Sequence, residues 1–287
     1  MLKSKDQEYF KNSCIVLTGA TSGIGRAMVD SLISIPEINL ILVGNNTIRC
    51  QELVEDTKSY GDRCKVIQAD FSEPGSVEKL VNQIDAPNQR LILINNAGLG
   101  AYINFADQDM ASLNDIIMVN IYSLVMLTNS LMPLITKNGG GVLNISSVAS
   151  LVPCPGLGVY GASKTFVTAF SDALRAELAA LAINVVCYHP AGTESRWFER
   201  ATGGAMKTPP VAPASAEEVA TKALSALARN STNPVHGVFN LVASKILNIL
   251  PRDIAAQIVH KRTQKVLSKL KAKNLDQMAF GEDYGNT

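Results

Sequence analysis

Six short apolar runs mark the first two-thirds of the chain, at residues 13–18, 39–43, 64–68, 91–94, 142–145 and 183–188. The first, SCIVLT, has no polar–apolar alternation, as expected of a strand buried on both faces of a parallel sheet. Helical stretches separate the runs. One follows residues 19–25 and stops near Ile35 before Pro36, and a polar one covers about 46–60. Another begins at Pro74, a long one covers 110–137, and one runs to about Leu181. Strand and helix alternate throughout, which predicts right-handed βαβ units in a doubly wound parallel sheet, an α/β fold.

After His189 the pattern changes. Residues 190–215 hold Gly, Pro and Ser around Trp197 and Phe198, which sit in a short helix. So long a connection reads as a substrate lid or as a surface loop pinned by two aromatics. A helix follows over about 216–230, and residues 238–273 are helical and partly amphipathic. We therefore expect one domain over residues 10–237, lid included, and a C-terminal helical extension over 238–287 packed on it.

Composition permits a large core, with 47% apolar and 18% charged residues in 287. The formal net charge of +1 supplies no field that would recruit nucleic acid. Cys14, Cys50, Cys64, Cys154 and Cys187 form no CxxC pair, which fits a reducing, cytoplasmic setting. The first thirteen residues are polar and lack a signal-peptide core. The longest apolar stretch, about 113–135, is interrupted by Asn114, Asp115, Asn120 and Asn129, and reads as a buried helix, not a span. His189, His236 and His260 have no metal-ligand spacing, so no metal is expected.

Thr18-Gly19-Ala20-Thr21-Ser22-Gly23-Ile24-Gly25 lies between a predicted strand and a predicted helix. Gly19 permits the turn, Gly23 admits a pyrophosphate to the backbone, and Gly25 lets helix and sheet approach. Helix N-terminal N–H groups would face the phosphates. At the end of the second strand, where an acid would bind ribose hydroxyls and select NAD, the chain reads Val43-Gly44-Asn45-Asn46. Nothing there repels a 2′-phosphate, and Arg26 or Arg49 could pair with one, which favours NADP over NAD.

Further on, Ser146 and Ser147 end an apolar run, and Tyr160 and Lys164 stand one helical turn apart. TGATSGIG, Asn95-Asn-Ala-Gly98, Ile145-Ser-Ser147 and Tyr160-Gly-Ala-Ser-Lys164, in this order, resemble the short-chain dehydrogenase/reductase family over about residues 12–195. They are similar to its compact TGxxxGxG/YxxxK branch. The resemblance implies a Rossmann fold and a catalytic tetrad of Asn120, Ser147, Tyr160 and Lys164. It also implies cofactor contacts from Thr18, Gly19, Thr21, Ser22, Gly23, Ile24 and Gly25, from Asn45, Asp70 and Phe71, and from Asn96, Ala97 and Gly98. Tyr160, Lys164, Pro190, Thr193 and Ser195 complete that set.

Tyr160 would exchange a proton with the substrate oxygen. The Lys164 ammonium would lower the phenol's pKa from about 10. Ser147 would hold the carbonyl, and Asn120 would position a water beside Lys164. Where the family usually has Pro-Gly, a hydrophobic residue and Thr, this chain has Pro190-Ala-Gly-Thr-Glu-Ser195. Thr193 thus stands at a nicotinamide-contact position. The apolar stretch 148–157 and the two lid aromatics predict a hydrophobic ketone, aldehyde or alcohol as substrate. A non-catalytic NADP-binding sensor or scaffold is the alternative. The resemblance further implies a homodimer formed through the two long helices. Lys261, Lys265 and Lys269 recur every four residues beside Val259, Val266 and Leu270. A solvated helix face explains that stripe, and contact with an anionic membrane surface is its other reading.

Overall fold

A computed structural model describes residues 2–85, 89–204, 206 and 213–281. A short helix α1 (Ser4–Glu8) leads into β1 (Ser13–Thr18), α2 (Gly23–Leu32), β2 (Asn39–Gly44), α3 (Thr47–Thr57), β3 (Cys64–Gln68), α4 (Ser76–Val81) and β4 (Arg90–Asn95). The second half holds α5 (Met110–Ile117), α6 (Ser123–Lys137), β5 (Gly141–Ile145), α7 (Gly158–Leu178) and β6 (Asn184–Tyr188). It ends with α8 (Arg196–Ala201), α9 (Ala216–Ala228), α10 (Val238–Ile249) and α11 (Arg252–Gly281).

The six strands form one parallel sheet in the order β3-β2-β1-β4-β5-β6. The order in which strands are added reverses between β1 and β4, and loops leaving the strand ends there open a crevice, the usual ligand position in such sheets. Successive strand residues serve opposite layers. Ile15 and Leu17 pack with α2 and α9, while Cys14 and Val16 face the layer that holds α6 and α7. Both faces are covered, which is why β1 is apolar at every position that points into either layer.

Three helices depart from their predicted outlines. α4 starts at Ser76, because Gly75 takes φ 76° ahead of it, so Pro74 lies outside the helix. The helix predicted over 110–137 is interrupted by a π-helical turn, Met118–Tyr122, that joins α5 to α6 and carries Asn120. That combined helix is long and apolar enough to cross a membrane. Only one of its faces is buried: Leu127, Leu131 and Ile135 meet the sheet layer, whereas Met110, Ile117 and Tyr122 are exposed. The helix predicted over 238–273 is broken at Leu250 and Pro251. Leu250 is extended (φ −73°, ψ 151°), as a residue before proline tends to be.

α11 packs inward through Thr263, Val266, Leu267 and Leu270. Val266 and Leu270 from the predicted stripe are therefore core contacts, while Lys261 is exposed. The side chains of Lys265 and Lys269 lie outside the described residues, as do lid positions 205 and 207–212.

Candidate active site

The loops at the carboxyl ends of the strands enclose a cavity of about 400 Å³. One wall is the turn between β1 and α2. Gly19 and Gly23 both take positive φ, 66° and 54°, a region open to glycine at little cost. Gly25 lies behind them. A Cβ there would strike the carbonyl oxygen of Gly19 and would lie 2.6 Å from the Asn96 amide nitrogen. Thr21, Ser22 and Ile24 line the cavity with the two positive-φ glycines, and Asn45, Asp70 and Phe71 border it from β2 and β3. Asn96, Ala97 and Gly98 enter from β4, and Pro190, Thr193 and Ser195 from beyond β6.

Three residues assigned to the site from sequence do not reach the cavity: Thr18, Gly25 and Asn120 are absent from its walls. Thr18 instead accepts the backbone N–H groups of Asn96 and Ala97 on its hydroxyl, both at 3.0 Å, tying β1 to the loop after β4. Asn120 stands directly behind the wall. Its Nδ2 donates to Leu99 O at 2.9 Å and to Ser163 Oγ at 2.9 Å, and its Oδ1 accepts from Leu99 N at 2.8 Å. The wider π-turn aims this amide at the loop. Such turns are rare and recur where a helix must present one residue out of register.

Ser147, Tyr160 and Lys164 meet on the wall formed by β5 and α7. The two neighbouring serines divide their tasks. The Ser146 hydroxyl donates to Lys164 O at 3.0 Å, anchoring α7 to β5. Ser147 caps the turn 148–150 by accepting Ala149 N, and its hydroxyl acts on the Tyr160 phenol across the cavity wall. Lys164 is buried, and its Nζ donates to Ile145 O at 2.9 Å. It lies 6.0 Å from the Tyr160 ring centroid.

Burial governs both titrating groups. It pushes the Tyr160 phenol up to about 12, although the Ser147 hydroxyl acts the other way. It pushes Lys164 down to about 8. Desolvation is the largest influence on the Tyr160 phenol, and it favours the protonated form.

The lid closes the site from above. Trp197 on α8 lies against Tyr160, with ring centroids 4.7 Å apart, and Phe198 meets Tyr102 at 6.0 Å. A Cβ on Gly100 would collide with Trp197, so glycine is what lets the indole reach the tyrosine. Leu99, Val148, Val152 and Leu157 continue the apolar wall. Sequence reasoning missed Tyr102, Val119 and Arg200 as lining residues, because nothing in their local pattern distinguishes them from packing residues.

Of the two arginines considered for a phosphate, Arg26 is spent on Asp30 at 3.2 Å and Asp56 at 2.7 Å. Arg49 lines the cavity with Arg200. Desolvation, and after it the like charges of Arg49 and Arg196, lower the Arg200 pKa. None of the three histidines stands in the cavity wall, and no ligating cluster is found among the described residues.

A family model described as short chain dehydrogenase matches residues 13–203. The chain belongs to the short-chain dehydrogenase/reductase family. It is an oxidoreductase of that family, acting on CH–OH groups with a nicotinamide cofactor. Among relatives of this short-chain dehydrogenase/reductase, "Sulfoacetaldehyde reductase 2" of Chromohalobacter salexigens is 34% identical over 66% of this chain and 76% of its own. "Very-long-chain 3-oxoacyl-CoA reductase" of Anas platyrhynchos is 35% identical over 56% of this chain and 54% of its own. A short-chain dehydrogenase from Sphingobium yanoikuyae, solved in complex with NADPH, superposes with a TM-score of 0.74 at 27% identity. It covers 82% of this chain and 92% of that one.

Proposed function

We propose that this enzyme is an NADP(H)-dependent reductase of hydrophobic ketones or aldehydes, with Tyr160 as proton donor. The observation that carries the reading is a buried phenol, Tyr160, that shares the cavity wall with Ser147 and Lys164 and lies against Trp197.

The cavity fits a dinucleotide. The bare backbone at Gly19 and Gly23 suits a pyrophosphate, and Asp70 and Phe71 border the place an adenine would take. Asn45, Arg49 and Arg200 would hold a 2′-phosphate, whose charge would relieve the repulsion between the arginines. Asn96, Ala97, Gly98, Lys164, Pro190, Thr193 and Ser195 would hold the rest. When bound, the cofactor supplies the hydride.

The chain's own groups do the remaining work. The Ser147 hydroxyl donates to the carbonyl oxygen and holds it beside Tyr160. The Tyr160 hydroxyl gives its proton to that oxygen as charge develops there. Lys164, with its pKa near 8, is charged at neutral pH and stabilises the phenolate left behind. Asn120 acts as a positioning residue, fixing the Leu99 loop and Ser163.

Leu99, Val152, Leu157 and Trp197 support an apolar substrate body next to the reacting carbon. An acyl or polycyclic group fits that wall better than a small charged aldehyde. Exposed Ile117 and Tyr122 near α5 and α6, and Phe166 on α7, support a homodimer through these helices. Free cysteines among the described residues support a cytoplasmic setting. In this reading residues 10–237 form the catalytic unit and 238–287 an extension of it.

Tyr160→Phe tests the mechanism. Turnover of NADPH with an apolar ketone should fall by about 10²–10⁴, with NADPH affinity unchanged. Unchanged turnover would refute it, and absence of turnover in the unaltered enzyme across a graded ketone panel would favour a sensor or scaffold.

A further inference from the structure

α10 presents an apolar face to solvent. Val238 is 78% exposed, Phe239 71% and Ile249 83%, with Val242 and Ile246 also exposed. At 100° per residue these five side chains fall within an arc of about 100°. The opposite side of the helix packs inward through the buried Ser244. On α11, which touches α10, Ile254 and Ile258 are also exposed, one turn apart. Five exposed apolar side chains on one arc of α10 are more than scattered surface residues would place there.

The charge around the patch selects its partner. Residues 238–274 contain eight Lys and Arg and one acid, Asp253, in a chain whose net charge is +1. Lys245 borders the apolar arc on α10, and Arg252 and Lys261 are exposed on α11. An apolar helix face rimmed by cations matches an anionic bilayer surface: acyl chains take the face and acidic headgroups take the rim. A second protein copy would bring the same cations and repel.

Length decides how the hairpin lies. α10 has 12 residues, about 18 Å at 1.5 Å per residue, well short of the ~30 Å hydrocarbon core. It can rest in the interface and cannot span. The same hairpin also packs behind the active site, against the cavity residue Tyr102. A Cβ on Gly156, in the loop before α7, would strike Thr263, and Leu267 lies beside the same position. Tyr102, a cavity residue, packs with Val266, Leu267 and Leu270.

We propose that the α10–α11 hairpin docks this enzyme on anionic phospholipid bilayers, bringing the side of the cavity at Tyr102 to the membrane surface. The docking stands apart from the catalytic reading; only the delivery of an apolar substrate from the bilayer rests on it.

The test is flotation of the full chain with vesicles of phosphatidylcholine alone, or with phosphatidylserine added, at low and high salt. The unaltered protein should float with the phosphatidylserine vesicles, less so at high salt, and scarcely with phosphatidylcholine. Phe239→Ser/Ile246→Ser should weaken binding by about tenfold or more, and so should Lys245→Glu/Arg252→Glu. Circular dichroism and turnover of a short, water-soluble ketone control for folding. Failure of the unaltered protein to float overturns the proposal, as does flotation untouched by either double variant. A high-order oligomer that Phe239→Ser/Ile246→Ser dissolves, with no vesicle binding, would assign the face to a second copy instead and also overturns it.

Discussion

Trp197 packs tilted against Tyr160, with 4.7 Å between ring centroids and 45° between ring planes. Helix α8 thereby covers the phenol proposed as proton donor. Trp197→Ala should reduce kcat/KM for apolar ketones about tenfold or more, with much of the loss in KM. NADPH affinity, read by fluorescence quenching, should change little. Steady-state kinetics on a ketone series separates the two parameters.

Lys164 sets the pH response. Its pKa, pushed down to about 8, leaves it charged below that pH and neutral above it. Carbonyl reduction should be flat from about pH 6 to 7.5 and decline through pH 8 as the ammonium is lost. The Tyr160 phenol, at about 12, stays protonated across that range. A pH profile of kcat in the reductive direction checks the sign. A rate that rises above pH 8 would contradict it.

Arg49 and Arg200 should govern cofactor choice. Arg49→Ala and Arg200→Ala are each expected to raise KM for NADPH about tenfold, with little effect on NADH. Arg26→Ala should leave both unaffected, because its guanidinium already bonds Asp30 and Asp56. Those exposed pairs contribute up to about 1 kcal/mol, so its melting temperature should hardly move. Comparing the cofactors across the three variants is a direct measurement.

Gly25→Ala should destabilise the fold by about 1–3 kcal/mol, since the added methyl meets the Gly19 carbonyl. Urea unfolding with and without NADPH would show both the lost stability and weakened cofactor binding, because the same carbonyl belongs to the phosphate turn.

Much of this architecture was legible in the chain. Strands such as SCIVLT are apolar throughout because both of their faces are covered, and glycine spacing in TGATSGIG reflects backbone approach that side chains would block. Ser147, Tyr160 and Lys164 could be picked out because β5 and one turn of α7 set them side by side. Other parts depend on distances that sequence does not carry. The π-turn at Asn120 was invisible, since a helical pattern says nothing about one extra residue in a turn. The burial that raises the Tyr160 pKa was not legible, because desolvation depends on what long-range folding packs around the ring. Arg26 resembled a phosphate ligand until Asp56, thirty positions away, was found holding it. Arg200 and Tyr102 reach the cavity only through long-range folding.

The contact of α11 with Gly156 and Tyr102 separates two properties along the chain. The residues proposed to move the proton lie between 147 and 164, while the side chains packed behind Gly156 and the cavity residue Tyr102 come from 263–270, about a hundred positions later. The cavity can thus be reshaped from a distance: exchanging Thr263 and Leu267 should shift Tyr102, which lines it, without touching Ser147, Tyr160 or Lys164. A lineage could diversify its substrates by rewriting one terminal helix.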